Sequence, residues 1–231
     1  MSADLIGGLA EQLRSREKKN LFRERVALEG PQDIRVSIDG REHLAFCSND
    51  YLGLANHPEL IVAACEGARR YGVGAGASHL ISGHSLAHDV LEDALARFIG
   101  FPRALLFSTG YMANAGVVAA LMGRTGAIFG DKLNHASLND AVLVSKARFS
   151  RYRHGDLAGL KHQMAASNAR SKLVLTDAVF SMDGDLAPVA RLLELCEKYD
   201  AWLMLDDAHG FGVLGEKGKG ILGHVDVQSP R

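Results

Sequence analysis

The residues best suited to chemistry lie near the end of the chain, in the segment Asp206-Asp207-Ala208-His209. They follow Trp202–Leu205, an uninterrupted apolar run that predicts a strand buried on both faces of a parallel sheet. Asp206 would then lie at the carboxyl end of that strand, where α/β folds place their ligands. A carboxylate there suits a cofactor whose ring nitrogen must stay protonated, with His209 orienting the acid or touching the ring hydroxyl. For this peptide alone, a strand that simply ends in polar residues is an equal alternative.

Two other segments combine polar side chains with the start of a predicted helix. Phe107–Asn114 runs from a strand into a helix whose first N–H groups suit a phosphate, with Gly110 allowing close approach and Tyr111 packing on a cofactor. His135, in the segment Asn134-His135-Ala136-Ser137, can stack on an aromatic cofactor or move protons. An ordinary crossover turn and a solvated helix cap are the respective alternatives.

A third candidate is Ser181, which follows a predicted strand and can donate a hydrogen bond to a cofactor oxygen. Asp206, Asp207 and His209 also allow a different hypothesis, a metal-dependent hydrolase. No second His or Glu pair with helical spacing accompanies them, so we expect no metal site.

Composition excludes several classes of partner. The 231 residues carry a net charge of −1, which favours neither nucleic acid nor an anionic membrane. No apolar run is long enough to span a bilayer, and the N-terminus mixes acids with bases without a signal core. Cys47, Cys65 and Cys196 are widely separated, which predicts buried thiols that form no disulfide in a reducing compartment. We therefore expect a cytoplasmic protein.

The elements that must position these residues alternate along the chain. Residues 1–57 predict an N-terminal helix, an arm and a small hairpin that turns at Asp39-Gly40. Pro58 begins a helix that Gly72 ends, and a second amphipathic helix runs from Leu86 to Phe98. Helices near Tyr111, His135 and Pro188 then alternate with short apolar strands. The predicted strands are Ala104–Phe107, Ala127–Phe129, Leu173–Leu175 and Trp202–Leu205. Residues 58–231 therefore predict the large domain, a three-layer αβα sandwich with a mainly parallel sheet.

Five ordered blocks resemble the α-oxoamine synthases, pyridoxal 5'-phosphate (PLP) enzymes with the aspartate aminotransferase fold. The blocks are Ser48–Leu54, Phe107–Asn114, Asn134–Ser137, Ser181–Gly184 and Asp206–Gly210. The resemblance extends from about Leu21 to Gly220. It implies a homodimeric C-acyltransferase whose cofactor is PLP.

The resemblance also implies roles for individual residues. Gly110 and Tyr111 would contact PLP, Ser181 and His209 would hold cofactor oxygens, and Asp206 would pair with the ring nitrogen.

Two residues are implied to meet the substrates. His135 would stack on the cofactor ring and contact substrate, so it joins Asp206 as a catalytic residue. Arg23 would face the acyl substrate, although Arg25 is a near neighbour in a loose motif. The blocks look most like the branch of biotin biosynthesis that condenses L-alanine with a pimeloyl thioester of coenzyme A or a carrier protein. Glycine C-acetyltransferase is the runner-up.

One departure concerns the end of the chain. The lysine that holds PLP covalently in this family lies beyond Arg231, and Lys217 and Lys219 do not match its position. We therefore expect a catalytically incomplete chain that lacks the C-terminal domain. A non-catalytic fragment is the second hypothesis.

Overall fold

The chain divides into two compact units, Met1–Ala63 and Ala64–Arg231. The computed structural model describes residues 3–225. Within that range, no helix is both long and apolar enough to cross a membrane.

The first unit contains the predicted helix and hairpin. Helix α1 covers Ala3–Lys18, and β1 (Arg35–Ile38) pairs antiparallel with β2 (Arg41–Leu44). Asp39 and Gly40 connect the strands with φ values of 49° and 69°. Two successive positive φ values are typical of the tight turn whose twist matches that of a hairpin, so this expectation is confirmed.

Three α-helices come next, and strands and helices alternate after them. The helices are α2 (Pro58–Tyr71), α3 (Leu86–Ile99), α4 (Gly110–Leu121), α5 (Ala136–Ser145), α6 (Leu157–Ala165), α7 (Val189–Tyr199) and α8 (Ile221–His224). The strands are β3 (Ala127–Asp131), β4 (Arg148–Tyr152), β5 (Lys172–Asp177) and β6 (Trp202–Asp206). They form one parallel sheet in the order β4-β3-β5-β6.

Both faces of this sheet are covered by helices. Phe129 and Val174 pack on one face with residues of α6 and α7. Ile128 and Leu173 pack on the other face with residues of α4 and α5. Because side chains alternate along a strand, the two central strands supply both cores at once. The three-layer αβα sandwich is therefore confirmed.

We expected strand β6 to be buried on both faces, and this prediction is wrong. Trp202 is 57% exposed, and the remaining residues of the strand are partly exposed. Among the described strands, β6 pairs only with β5 and thus forms an edge of the sheet. An apolar run shows that a strand can be buried, but its neighbours decide whether it is.

The prediction of a strand at Ala104–Phe107 is also wrong. No strand in the described part of the chain pairs with this segment, and Leu105 is 76% exposed. The Leu106 N–H instead donates to Glu92 Oε1 at 2.9 Å.

Two elements, β4 and α6, carry signals that we did not use. Asp156 caps α6 by accepting a hydrogen bond from the Gly159 N–H at 2.8 Å, and Leu157, Leu160 and Met164 follow with helical spacing. Strand β4 is an edge strand with three polar residues among five, so its apolar signal is weak.

The three cysteines are thiols, as expected, but their burial differs from the expectation. Cys47 and Cys65 are exposed, whereas Cys196 is buried.

The two leucines of α5 test the assignment of its buried face. Leu138 is fully buried and Leu143 is 73% exposed. Leu138→Ala should lower the free energy of unfolding by about 2–5 kcal/mol, because it removes buried apolar contacts and leaves a cavity. The matched variant Leu143→Ala should change it by less than about 0.5 kcal/mol. Urea titrations followed by circular dichroism measure both values, and equal losses would contradict the assigned face.

Candidate functional site

The carboxyl ends of the parallel strands bring acidic residues together along one side of the sheet, the edge at which the strands end. Strand β3 ends at Asp131, β5 at Asp177 and β6 at Asp206, and the last two are direct partners in the strand register. The segments that follow these strands carry His135, Ser181 and His209. This edge is where open α/β sheets bind ligands.

Asp206 is held by a side chain to which we assigned no role. Asn114 Nδ2 donates to Asp206 Oδ2 at 2.8 Å, and the Ala208 N–H donates to Asp206 Oδ1 at 3.1 Å. Asn114 is 6% exposed and lies on α4. It belongs to the Phe107–Asn114 block, so its presence there was the available signal. The two hydrogen bonds fix the plane of the Asp206 carboxylate.

His135 is tied into the same region through its backbone and its ring. Its N–H donates to Asp177 Oδ2 at 2.7 Å, and its Nδ1 lies 2.7 Å from Ser137 Oγ and 3.3 Å from the Ser137 backbone nitrogen. A backbone N–H only donates, so Nδ1 accepts and the proton of the neutral ring is on Nε2.

Asp177 is another residue that the motifs did not single out. Burial raises the pKa of its carboxyl above the ordinary value of 3.8, although the His135 N–H acts in the opposite direction. The nearby Asp206 carboxylate raises the pKa further, and His135 and His209 lower it.

Gly110 and Tyr111 lie at the N-terminus of α4, as expected, although the predicted strand before this helix does not form. Thr109 caps this helix by accepting a hydrogen bond from the Met112 N–H at 3.1 Å. The Tyr111 hydroxyl donates to Asp140 Oδ2 of α5 at 3.0 Å, and this hydrogen bond raises the pKa of Tyr111. Tyr111 is 51% exposed.

Other predicted site residues are less closely connected. Ser181 is exposed, and within the described residues no recorded hydrogen bond joins its hydroxyl to Asp206 or His135. His209 is half-buried and interacts electrostatically with Asp177. Arg23 is exposed and belongs to the first unit, so its role stays a prediction.

A histidine clamps the turn that carries Ser181. His154 Nδ1 lies 3.1 Å from Asp131 Oδ1, and His154 Nε2 lies 2.7 Å from Asp185 Oδ2. Carboxylates only accept, so both ring nitrogens donate in the imidazolium form. Burial lowers the pKa of His154, but the hydrogen bonds to the two aspartates outweigh it and raise the pKa above 6.5. The turn is thereby tied to the end of β3.

Asp207, one of the three residues of the metal hypothesis, contacts the helix that follows it. Asp207 Oδ2 accepts a hydrogen bond from the Ile221 N–H at 2.8 Å, so Asp207 anchors the start of α8. Burial raises the pKa of Asp207, partly offset by the Ile221 N–H, while Asp206 raises it further.

Potential ligand atoms converge elsewhere, on α3 and the segment before it, at His84, Asp89 and Glu92. There His84 Nε2 is hydrogen-bonded to Asp89 Oδ1 at 2.9 Å. Glu92 accepts the Leu106 N–H at the same distance. Each of these three residues thus has a hydrogen-bond partner within the protein.

A family comparison agrees with this arrangement of elements. The model of the family described as aminotransferase class I and II matches residues 41–228, from the start of β2 onward. The chain belongs to the class I and II aminotransferase family. The matched region includes Asp206 and the carboxyl ends of the other parallel strands.

Individual members of this family refine the comparison. The 8-amino-7-oxononanoate synthase of Nitrosospira multiformis is 71% identical over 224 residues, which are 97% of this chain and 57% of that protein. The chain thus spans little more than half the length of this curated relative.

Two solved structures share the fold. A serine palmitoyltransferase from S. paucimobilis with PLP and myriocin bound has a TM-score of 0.88 at 28% identity, covering 94% of this chain and 56% of that one. The 8-amino-7-oxononanoate synthase of Francisella tularensis has a TM-score of 0.67 at 31% identity, covering 79% of this chain and 50% of that one.

The clamp at His154 makes the stability of this aminotransferase-family chain depend on pH. A raised native pKa means that the imidazolium stabilises the fold fully below 6.5 and that this stabilisation is lost as pH rises through the native value. Wild type should therefore exceed His154→Gln in free energy of unfolding by more at about pH 5 than at about pH 9. Urea titrations at both pH values measure the difference. An equal difference at the two values would contradict the clamp.

Proposed function

We propose that this chain provides the PLP-binding part of an 8-amino-7-oxononanoate synthase, an enzyme of biotin biosynthesis. In the proposed reaction, L-alanine condenses with a pimeloyl thioester of coenzyme A or a carrier protein, and CO2 is released. The 71% identity with the Nitrosospira multiformis enzyme supports this branch of the family. The activity is proposed for the whole protein, because the chain spans 57% of that relative.

The N-terminus of α4 suits the phosphate of PLP. Its first N–H groups point out of the helix, and the helix dipole favours a negative charge there. A side chain built on Gly110 would meet no atom within 4 Å, so the space beside its backbone is open. Thr109 stabilises this helix start by accepting the Met112 N–H.

The Asp206 carboxylate suits the protonated ring nitrogen of PLP, and this observation carries the proposal. Within the described part of the chain, each of its oxygens accepts one hydrogen bond, from Asn114 or from the Ala208 N–H. A carboxylate oxygen has two lone pairs, so acceptor capacity remains for a cationic N–H. The exposed imidazole of His135 follows β3, which β5 separates from β6, and is available to the face of the ring.

The residues of the chain have separate tasks in this proposal. PLP, when bound with its ring nitrogen protonated, supplies an electron sink for the Cα of the amino acid. Asp206 keeps the proton on that nitrogen, and the Nε2–H of His135 donates to a substrate oxygen. Ser181 and His209 hold cofactor oxygens, and Arg23 binds the acyl substrate.

The assembly and the location belong to the same proposal. We infer a homodimer from the resemblance to the α-oxoamine synthases. The three thiols favour a reducing compartment such as the cytoplasm.

Substitution of Asp206 tests its role. We expect Asp206→Asn to lower kcat at least about 100-fold, about 2.7 kcal/mol of barrier, because an amide does not hold the ring proton. PLP affinity should change much less, since the phosphate contacts at α4 remain. The assay uses this chain fused to the C-terminal part of the Nitrosospira multiformis relative. It measures release of coenzyme A from pimeloyl-CoA, and PLP binding is measured by fluorescence.

Asp93→Asn, on the exposed side of α3, is the matched control and should retain activity. A rate for Asp206→Asn within a few-fold of wild type would contradict the role of Asp206.

Substrate choice tests the branch of the family. The fused protein should prefer L-alanine with pimeloyl-CoA over glycine with acetyl-CoA. The opposite preference would move the assignment to glycine C-acetyltransferase.

A further inference from the structure

Asp206 and His135, the two proposed catalytic residues, are joined by a continuous chain of hydrogen bonds. Asn114 Nδ2 donates both to Asp206 Oδ2 at 2.8 Å and to Ser137 Oγ at 2.9 Å. Ser137 Oγ in turn lies 2.7 Å from His135 Nδ1. The two connecting residues are buried, at 6% exposure for Asn114 and 1% for Ser137. The chain therefore links α4, α5 and β6 through side chains alone.

The direction of each hydrogen bond follows from the groups involved. A carboxylate only accepts, so the group of Asn114 that faces Asp206 is the NH2, which has two hydrogens. The second hydrogen is directed to Ser137 Oγ, so this oxygen accepts. The hydroxyl hydrogen of Ser137 is then available to His135 Nδ1, to which the Ser137 backbone N–H also points at 3.3 Å. The only arrangement that uses every donor has the proton of the neutral ring on Nε2.

We propose that Asn114 and Ser137 are positioning residues that set the plane of the Asp206 carboxylate and the tautomer of His135 together. The proposal rests on the proposed function, in which Asp206 meets the ring nitrogen of PLP and His135 meets substrate. Through this chain, a carboxylate that accepts and an Nε2–H that donates are prepared before any ligand binds. Neither positioning residue touches the cofactor or the substrate.

The identity of residue 114 determines the polarity of the chain. An aspartate has the same shape as asparagine but no NH2 group, so in Asn114→Asp the two facing carboxyls share one proton. The other oxygen of residue 114 then accepts from the Ser137 hydroxyl instead of donating to it. The Ser137 oxygen would accept a hydrogen bond from His135 Nδ1–H, in competition with the longer 3.3 Å contact from the Ser137 backbone N–H. The isosteric variant should therefore shift His135 toward the Nδ1–H tautomer.

The test reads the tautomer directly in the chain without PLP. Long-range 1H–15N spectra of histidine-labelled protein, recorded where the ring is neutral, report which nitrogen of His135 has the proton. Wild type should show the Nε2–H form alone. In Ser137→Ala the backbone N–H at 3.3 Å is the one donor left to Nδ1, so the share of the Nε2–H form should fall. Asn114→Asp should shift the ring toward Nδ1–H. Ser145→Ala is the matched control, because Ser145 is a buried serine of the same helix that donates instead to the Val142 carbonyl at 2.7 Å. It should retain the wild-type spectrum.

If a variant does not fold, the spectrum of the wild-type chain still tests the proposal. An Nδ1–H form of His135 in the wild-type chain, or an unchanged tautomer in folded Ser137→Ala and Asn114→Asp, would overturn it.

A second readout separates this proposal from the proposed function. In the fused protein, the dissociation constant for PLP should rise about 10-fold in Asn114→Asp and stay unchanged in Ser145→Ala, as measured by fluorescence. Failure of wild type to bind PLP would contradict the proposed function, whereas the tautomer result would still decide the role of the positioning residues.

Discussion

The hydrogen bond from Asn114 to Asp206 joins residues that are 92 positions apart in the sequence. A carboxylate at the edge of a sheet, partly removed from water, needs donors on both oxygens, and here one donor comes from a neighbouring helix. Helix α4 must therefore lie against the carboxyl end of β6 with Asn114 facing inward. The same contact brings the N-terminus of α4, with Gly110, to the edge at which the β-strands end.

The aspartates at the ends of the strands are hydrogen-bonded to nearby groups. Asp177 accepts the N–H of His135, Asp207 accepts the N–H of Ile221, and His154 bridges Asp131 and Asp185. Each of these contacts ties the start of a loop or a helix to the end of a strand. The aspartates thus anchor the loops and helices that follow the strands.

The sequence predicted most elements because their signals are local. The bounds of helices and turns follow from short stretches of sequence. Examples are the periodic apolar residues, Pro58 and Gly72 at the two ends of a helix, and Asp39-Gly40 in the hairpin turn. Two of the failures involve partners that are distant in sequence. The segment Ala104–Phe107 has a strand composition but no neighbouring strand among the described residues, and β6 is exposed because it forms an edge of the sheet.

By itself, the sequence determined the αβα class, the family resemblance and the placement of Asp206 and His135 at the ends of strands. Those conclusions follow from residue types and spacing within single segments. Only the tertiary structure decided that Asn114 and Ser137 connect the two residues, that Asp177 supports His135 and that Asp207 faces a different helix. Hydrogen bonds between side chains need distances near 2.9 Å between residues on separate elements. No periodicity along the chain encodes that proximity, which arises from the packing of α4 and α5 on the sheet.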